Sequence, residues 1–224
     1  MELRGENYHD WLWIPMLLLF SFMAFIFTKY NDQVRRCFLA VVSNREFNDL
    51  VRDESQVSKR ASLALNIFSL FTYAAFLFLF AINFLQTELS YLELYLAING
   101  LFFGGFILKI LFIYALGELF QEQNSSNLYV SNSLLSNEVF GIVLFPLILV
   151  IAYSQVLVEF FLYSSIIIWM LASVFKWYKG IKFGLSLSEL PIIYPFLYIC
   201  TLEILPVLVL AKVFLAPLEK IALY

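Results

Sequence analysis

The sequence predicts an all-α membrane protein, a polytopic bundle of about six transmembrane helices with a short amphipathic helical region in the first cytoplasmic loop. Of the 224 residues, 62% are apolar and only 14% are charged, whereas soluble domains contain about 25% charged residues. So little polar surface cannot cover a soluble globule, which excludes a soluble enzyme. The apolar segments are also too long for barrel strands, which alternate over about 10 residues.

Six apolar segments account for the predicted spans. A hydrocarbon core about 30 Å thick requires roughly 20 apolar residues per helix. By that criterion residues 1–224 form a single integral membrane domain. The predicted spans are about 11–28, 62–85, 96–116, 139–154, 156–175 and 192–214, and a charged loop at 29–61 follows the first span.

The loop charges predict the orientation of these spans. The first loop carries seven basic residues, and the link after the fifth span carries three lysines, whereas the links after the second and fourth spans carry none. The positive-inside rule therefore places both basic loops in the cytoplasm. With six spans both termini lie on the opposite side of the membrane, and an odd number of spans would move one terminus.

The first cytoplasmic loop contains a predicted short helix at about Asn44–Arg52. Ser43 and Glu46 have the spacing of a capping box, and Val42 with Phe47 has that of a hydrophobic staple. Val34, Phe38 and Val41 have helical spacing before it, and Phe47, Leu50 and Val51 share one of its faces. The loop is therefore predicted to form a pair of membrane-surface helices that bind anionic lipid or a protein partner. The alternative is a solvated extension of the first span. The basic residues on this surface include Arg35, Arg36 and Arg45.

The second cytoplasmic loop, residues 121–137, is polar and rich in Ser and Asn. Such a composition is typical of a mobile link. Glu118, Glu138 and Glu159 fall close to span ends, so we interpret them as interface residues within reach of water.

Glu203 is the clearest ionisable residue inside a predicted span, and a charge at that depth costs about 2.5–3.5 kcal/mol. It lies in the segment that runs from Tyr198 to Pro206. Pro206 leaves the carbonyl of residue 202 without a donor, and Cys200 shares a helix face with Glu203. The functional hypothesis is a protonatable or cation-binding carboxylate. The alternative is a structural Glu that pairs with another helix or stays protonated.

Lys109 is the second intramembrane charge, about seven residues from the cytoplasmic end of the third span. A lysine at that depth can snorkel to the interface. The sharper hypothesis is a buried ion pair between Lys109 and Glu203.

Gly100, Gly104 and Gly105 contain one Gly-x-x-x-Gly on the third span. Small residues at this spacing let helices approach closely. We expect these glycines to pack within the bundle, and the motif is only weak support for a homodimer.

Signatures of membrane enzymes are missing from the sequence. There is one histidine, His9, no Walker A segment and no Gly-x-Ser-x-Gly elbow. We therefore expect no catalytic residues, no metal and no cofactor, and the net charge of −3 gives no indication of a nucleic-acid partner.

The segment from Tyr198 to Lys212, and most sharply Thr201-Leu-Glu-Ile-Leu-Pro206, resembles the terminal segment of an uncharacterised family of multi-pass inner-membrane proteins from Bacteroidota. That family is known only as a domain of unknown function. The resemblance covers most of the chain and implies the inner membrane of a diderm bacterium, with periplasmic termini under a six-span topology. It implies no substrate.

These observations predict a non-enzymatic inner-membrane subunit of a larger envelope complex for secretion, assembly or transport. Its expected partners are membrane lipids and other proteins of that complex. The alternative is a small secondary transporter or lipid-handling protein with Glu203 as its coupling carboxylate. A third hypothesis is a membrane enzyme that acts on a polyprenyl or phospholipid substrate through metal-binding loop acids.

Overall fold

The computed structural model describes residues 9–53, 55–84, 90–119, 123–154 and 158–187. Its elements are α1 (His9–Val42), α2 (Asn44–Arg52), α3 (Gln56–Phe84), α4 (Tyr91–Leu119), α5 (Gln123–Tyr153) and α6 (Val158–Leu187). This confirms the all-helical class. Five of the described helices are long and apolar enough to cross a membrane. The sixth predicted span, 192–214, lies outside the described residues.

The first helix continues well past its predicted span. Its 34 residues would extend about 51 Å at 1.5 Å per residue, against a hydrocarbon core of about 30 Å. A kink at Tyr30, with φ −125° and ψ 28°, separates the apolar span from residues 31–42, which we call the α1 arm. The inward face of the arm consists of Val34, Cys37 and Ala40, with Val41 beside them, all of them buried.

The third helix forms the centre of the bundle. It packs against α1, α4 and α5, while α5 also packs against α1 and α6. In the most apolar 18-residue segment of α3, 72% is buried inside the protein. In the corresponding segments of α4 and α6, 17% is buried. The described helices therefore leave most of the apolar surface of α4 and α6 uncovered.

The prediction of a mobile link at residues 121–137 is wrong. Helix α5 begins at Gln123 and runs without interruption to Tyr153. Asn132, Ser133 and Ser136 are buried on it, and the Ser136 hydroxyl donates to the carbonyl of Asn132 at 2.8 Å. Small polar residues can bond to their own helix in this way, so a buried helix can have the composition of a loop.

The short helix of the first loop is confirmed at Asn44–Arg52, but its predicted starting signals are wrong. Ser43 makes no side-chain capping hydrogen bond, and Val42 is 82% exposed, so it forms no staple. Phe47 is buried instead, with Leu50 and Val51 packed beside it against the core. The apolar face of α2 therefore binds the protein, because α1 offers it a surface to bury.

Candidate functional site at the junction of α1, α3 and α5

A buried carboxyl group lies where α1, α3 and α5 meet. Glu138, midway along α5, is only 2% exposed, so its interpretation as a water-accessible interface residue is wrong. The Ser62 hydroxyl donates to its Oε1 at 2.5 Å, and the Asn66 amide donates to the same oxygen. The Cys37 thiol donates to Oε2 at 3.5 Å. We call these four residues the Glu138 cluster.

The spacing of polar residues on α3 explains how two of the donors converge. Ser62, Asn66 and Ser69 are four and three residues apart, which places them on one helix face. The Asn66 amide also donates to the carbonyl of Ser62 at 2.9 Å, so its side chain is held along that face. Cys37 reaches the same carboxyl from the inward face of the α1 arm.

A close contact between α3 and α5 holds the cluster in place one turn away. A Cβ atom on Gly141 would lie 2.8 Å from Cα of Ser69 and would overlap the Ser69 side chain. The Ser69 hydroxyl donates to the carbonyl of Leu65 at 2.8 Å and lies 3.4 Å from the carbonyl of Glu138. Only glycine therefore allows the two backbones to approach this closely.

The cluster has no counter-charge in the part of the chain that the structure describes, since Glu138 forms hydrogen bonds but no ion pair there. Nor does a group of three His, Cys, Asp or Glu side chains converge anywhere in these residues. One buried acceptor in the cluster, Oδ1 of Asn66, has no hydrogen-bond partner. The site therefore combines one carboxyl group, three donors and one unused acceptor.

A buried lysine holds the end of the α1 arm. Lys179 of α6 is 6% exposed, and its Nζ donates to the carbonyl of Ala40 at 3.0 Å. The ring centroids of Phe47 and Phe175 lie 5.9 and 5.7 Å from the same atom. Residues 176–182, which we expected in a cytoplasmic link, belong to α6. The ammonium group satisfies one of the last carbonyls of α1, which have no partner within their own helix.

Lys109 contacts α5, and its Nζ donates to the Ser133 hydroxyl at 3.1 Å. Its predicted ion pair with Glu203 stays a prediction, because Glu203 lies outside the described residues. The same holds for Tyr198, Cys200 and Pro206.

The three glycines of α4 are not at a contact with the described helices. Gly100, Gly104 and Gly105 are exposed, and a Cβ atom on any of them would meet nothing within 4 Å. The described helices therefore do not supply the packing partner that we expected for them, and packing against residues 192–214 stays a prediction. We call this surface, together with the exposed Leu101 and Leu108, the glycine face.

The basic residues of the first loop lie on the outside of the bundle. Arg35, Arg36 and Arg45 are exposed, and Arg36 forms an ion pair with Asp53 at 3.3 Å. Asp53 also accepts the backbone N–H of Ser55 at 3.0 Å. That hydrogen bond, with a smaller effect of Arg36, lowers the pKa of Asp53 below its ordinary value. The binding of anionic lipid by these arginines stays a prediction.

Sequence reasoning missed Glu138 because a carboxylate between a polar run and an apolar segment is typical of a membrane interface. The signal that could have found it lies on α3. Ser62, Asn66 and Ser69 form a polar face inside a predicted span, and buried polar groups require partners. Glu138 is the partner that the fold supplies.

The comparisons with known proteins add a family and nothing more specific. No curated protein and no solved structure matches the chain. A family model described as a domain of unknown function, DUF4271, matches residues 12–214, which is most of the chain. A membrane protein with several apolar helices is consistent with that match, and the chain belongs to the DUF4271 family.

Proposed function

We propose that the chain is a non-enzymatic subunit of a larger complex in a bacterial inner membrane, with its termini in the periplasm. The complex would serve secretion, assembly or transport across the envelope. The observation that carries the proposal is the glycine face of α4, where three glycines lie on the outside of the bundle without a described neighbour.

The physical argument rests on how helices associate in lipid. Lipid tails are as apolar as leucine, so close packing of small residues, rather than burial from water, drives helices together. Glycines that face lipid contribute nothing to packing and weaken the helix by about 1 kcal/mol each relative to alanine. If a partner helix packed on the glycine face, these glycines would allow it to approach α4 closely. The low burial of α4 leaves room for such a helix.

Site-specific photocrosslinking in native membranes tests this proposal. A photoreactive residue replaces Leu108, which shares a helix face with Gly104 and is 57% exposed. The matched control replaces Ile167 of α6, which is also 57% exposed. We expect one defined protein adduct from position 108, absent from position 167 and lost when Gly104→Leu is added.

Three outcomes would overturn the proposal. Adducts with lipid only at both positions would mean that the glycine face has no protein partner. An adduct with a second copy of the chain would make it a homo-oligomer rather than a subunit of a mixed complex. An adduct within one chain, to residues 192–214, would mean that the chain covers its own glycine face.

The alternative function, a small transporter or lipid-handling protein, is supported by the buried carboxyl of Glu138, because ionisable residues inside membrane bundles commonly mark ion pathways. Its coupling residue would be Glu203. Proton- or cation-dependent flux in liposomes that disappears in Glu203→Gln would support this alternative. Unchanged flux in that variant would remove the coupling role of Glu203.

A further inference from the structure

The Glu138 cluster presents a buried carboxyl group whose charge has no described counter-ion. An isolated ionised carboxylate in a protein interior costs several kcal/mol even after relaxation. Three hydrogen bonds from uncharged donors offset part of that cost. A small positive species bound to the carboxylate would offset the rest, so the cluster has the character of a binding site for a cation.

The surrounding ligands favour a proton over a metal ion. Hard metal cations need about six oxygen ligands, whereas Glu138 has only the Ser62 hydroxyl and the Asn66 amide beside its own two oxygens. The other side of the carboxyl faces the sulfur of Cys37, which suits soft metals rather than hard ones.

Asn66 has a suitable group for each state of the carboxyl. Its Nδ2 donates to Oε1 of Glu138, as an ionised carboxylate requires. Its Oδ1 is buried and has no hydrogen-bond partner, and a protonated carboxyl needs an acceptor for its O–H group. Rotation of the amide by half a turn turns Oδ1 towards the carboxyl as an acceptor for its O–H group, and it gives up the hydrogen bond from Nδ2 to the carbonyl of Ser62.

We propose that Glu138 reversibly binds one proton, and that this proton controls how the α1 arm is held against α5. Uptake converts the carboxylate to a neutral carboxyl group and adds one positive charge to the cluster. A neutral carboxyl is a weaker acceptor than a carboxylate, so the hydrogen bond from Cys37 to Oε2 weakens. This bond joins the arm directly to α5, so its weakening loosens the arm.

Apart from Cys37, the described ionisable groups on the helices around the cluster bind partners other than Glu138. From α1 the Cys37 thiol faces Glu138, and α3 contributes only the uncharged Ser62 and Asn66. Lys179 of α6 donates to the carbonyl of Ala40, which is three residues after Cys37 on α1. Lys109 of α4 contacts Ser133 of α5. The inference does not depend on a partner at the glycine face.

Infrared difference spectroscopy of the full chain in nanodiscs, recorded as a function of pH, tests the proposal. We expect a carboxylic acid C=O band that appears as pH falls, with a matching loss of carboxylate signal. The band should disappear in Glu138→Gln and persist in Glu159→Gln, a control at an exposed carboxylate at the start of α6. The S–H stretch of Cys37, assigned with Cys37→Ser, should shift with the same midpoint.

A second variant keeps the test valid if Glu138→Gln does not fold. Asn66→Leu retains the carboxyl but removes one hydrogen bond, so the C=O band should shift in frequency if it belongs to Glu138. Absence of any titrating band that these variants alter would overturn the proposal. So would a carboxylate signal that follows Na⁺ concentration at fixed pH, because the bound species would then be a metal ion. If the frequency of the S–H stretch of Cys37 did not change with pH, the proposed coupling between Glu138 and the α1 arm would be wrong.

Discussion

Two of the glycine-containing surfaces of this bundle lie in contrasting surroundings. At the contact of α3 with α5, Gly141 lies so close to Ser69 that no side chain fits between them. On the outside of α4, three glycines meet nothing among the described residues. The Gly-x-x-x-Gly spacing belongs to the second surface, and the isolated glycine to the first. Spacing along one helix therefore does not identify a packing contact, because the contact also needs a complementary surface on a second helix.

Of the substitutions that test the difference between these two surfaces, Gly141→Ala should reduce stability the most. The added methyl overlaps Ser69, so α3 and α5 must separate, and overpacking of this kind costs about 3 kcal/mol. We expect a corresponding loss in the free energy of unfolding, measured by denaturation in mixed micelles. The Glu138 cluster should loosen as well, since Gly141 is one turn from Glu138.

The matched control is Gly104→Ala. Its methyl meets nothing within 4 Å, and alanine is the better helix former by about 1 kcal/mol. The free energy of unfolding of the isolated chain should therefore stay the same or rise. Equal losses in the two variants would contradict the assignment of the close contact to Gly141.

A smaller effect is expected for Lys179→Met, which removes a buried lysine and is compared with Lys59→Met, which removes an exposed one. The substitution removes the hydrogen bond to the carbonyl of Ala40 and leaves that carbonyl buried, at a cost of about 1.5 kcal/mol. Hydrogen exchange at the end of the α1 arm should accelerate. Lys59→Met, at an exposed position of α3, should leave this exchange unchanged. Equal exchange rates in both variants would show that Lys179 does not hold the arm.

The smallest effect is expected at the exposed ion pair of Arg36 with Asp53. Because hydrogen bonding by Ser55 lowers the pKa of Asp53 in the folded chain, its contribution to stability is present above the unfolded pKa of about 3.9. That contribution is lost as pH falls through the lower folded value. The protection factor of the Ser55 amide, which corrects its hydrogen-exchange rate for the intrinsic effect of pH, should therefore fall in acid. In Asp53→Asn this acid-dependent step should be missing, and a step of equal size there would rule out Asp53 as its cause.

The helices themselves could be predicted because their cause is local. Long apolar segments must satisfy their backbone hydrogen bonds internally in lipid, which predicts helices whatever their neighbours are. Even α2 was predicted with its bounds at Asn44–Arg52, from the spacing of Phe47, Leu50 and Val51. Its capping signals failed because burial of Phe47, rather than a side-chain cap at Ser43, determines where it packs.

The polar half of α5 could not be predicted in the same way. Residues 123–137 have the composition of a link, and they form a helix because α5 packs against α3, α4 and α6, which lets Asn132, Ser133 and Ser136 be buried. Tertiary packing overrides weak helix propensity in such segments. The same packing gives Glu138 its donors, which come from residues 101, 76 and 72 positions away in the sequence.

The helical membrane character of this chain could be predicted without any tertiary information, because long apolar segments act through the bilayer and need no partner helix. Which polar residues meet depends on how the helices pack against each other. The donors of Glu138, the contact of Ser69 with Gly141 and the carbonyl that binds Lys179 each join two helices. Side chains on different helices share a site only when the register and rotation of both helices are set, and packing of the whole bundle sets them.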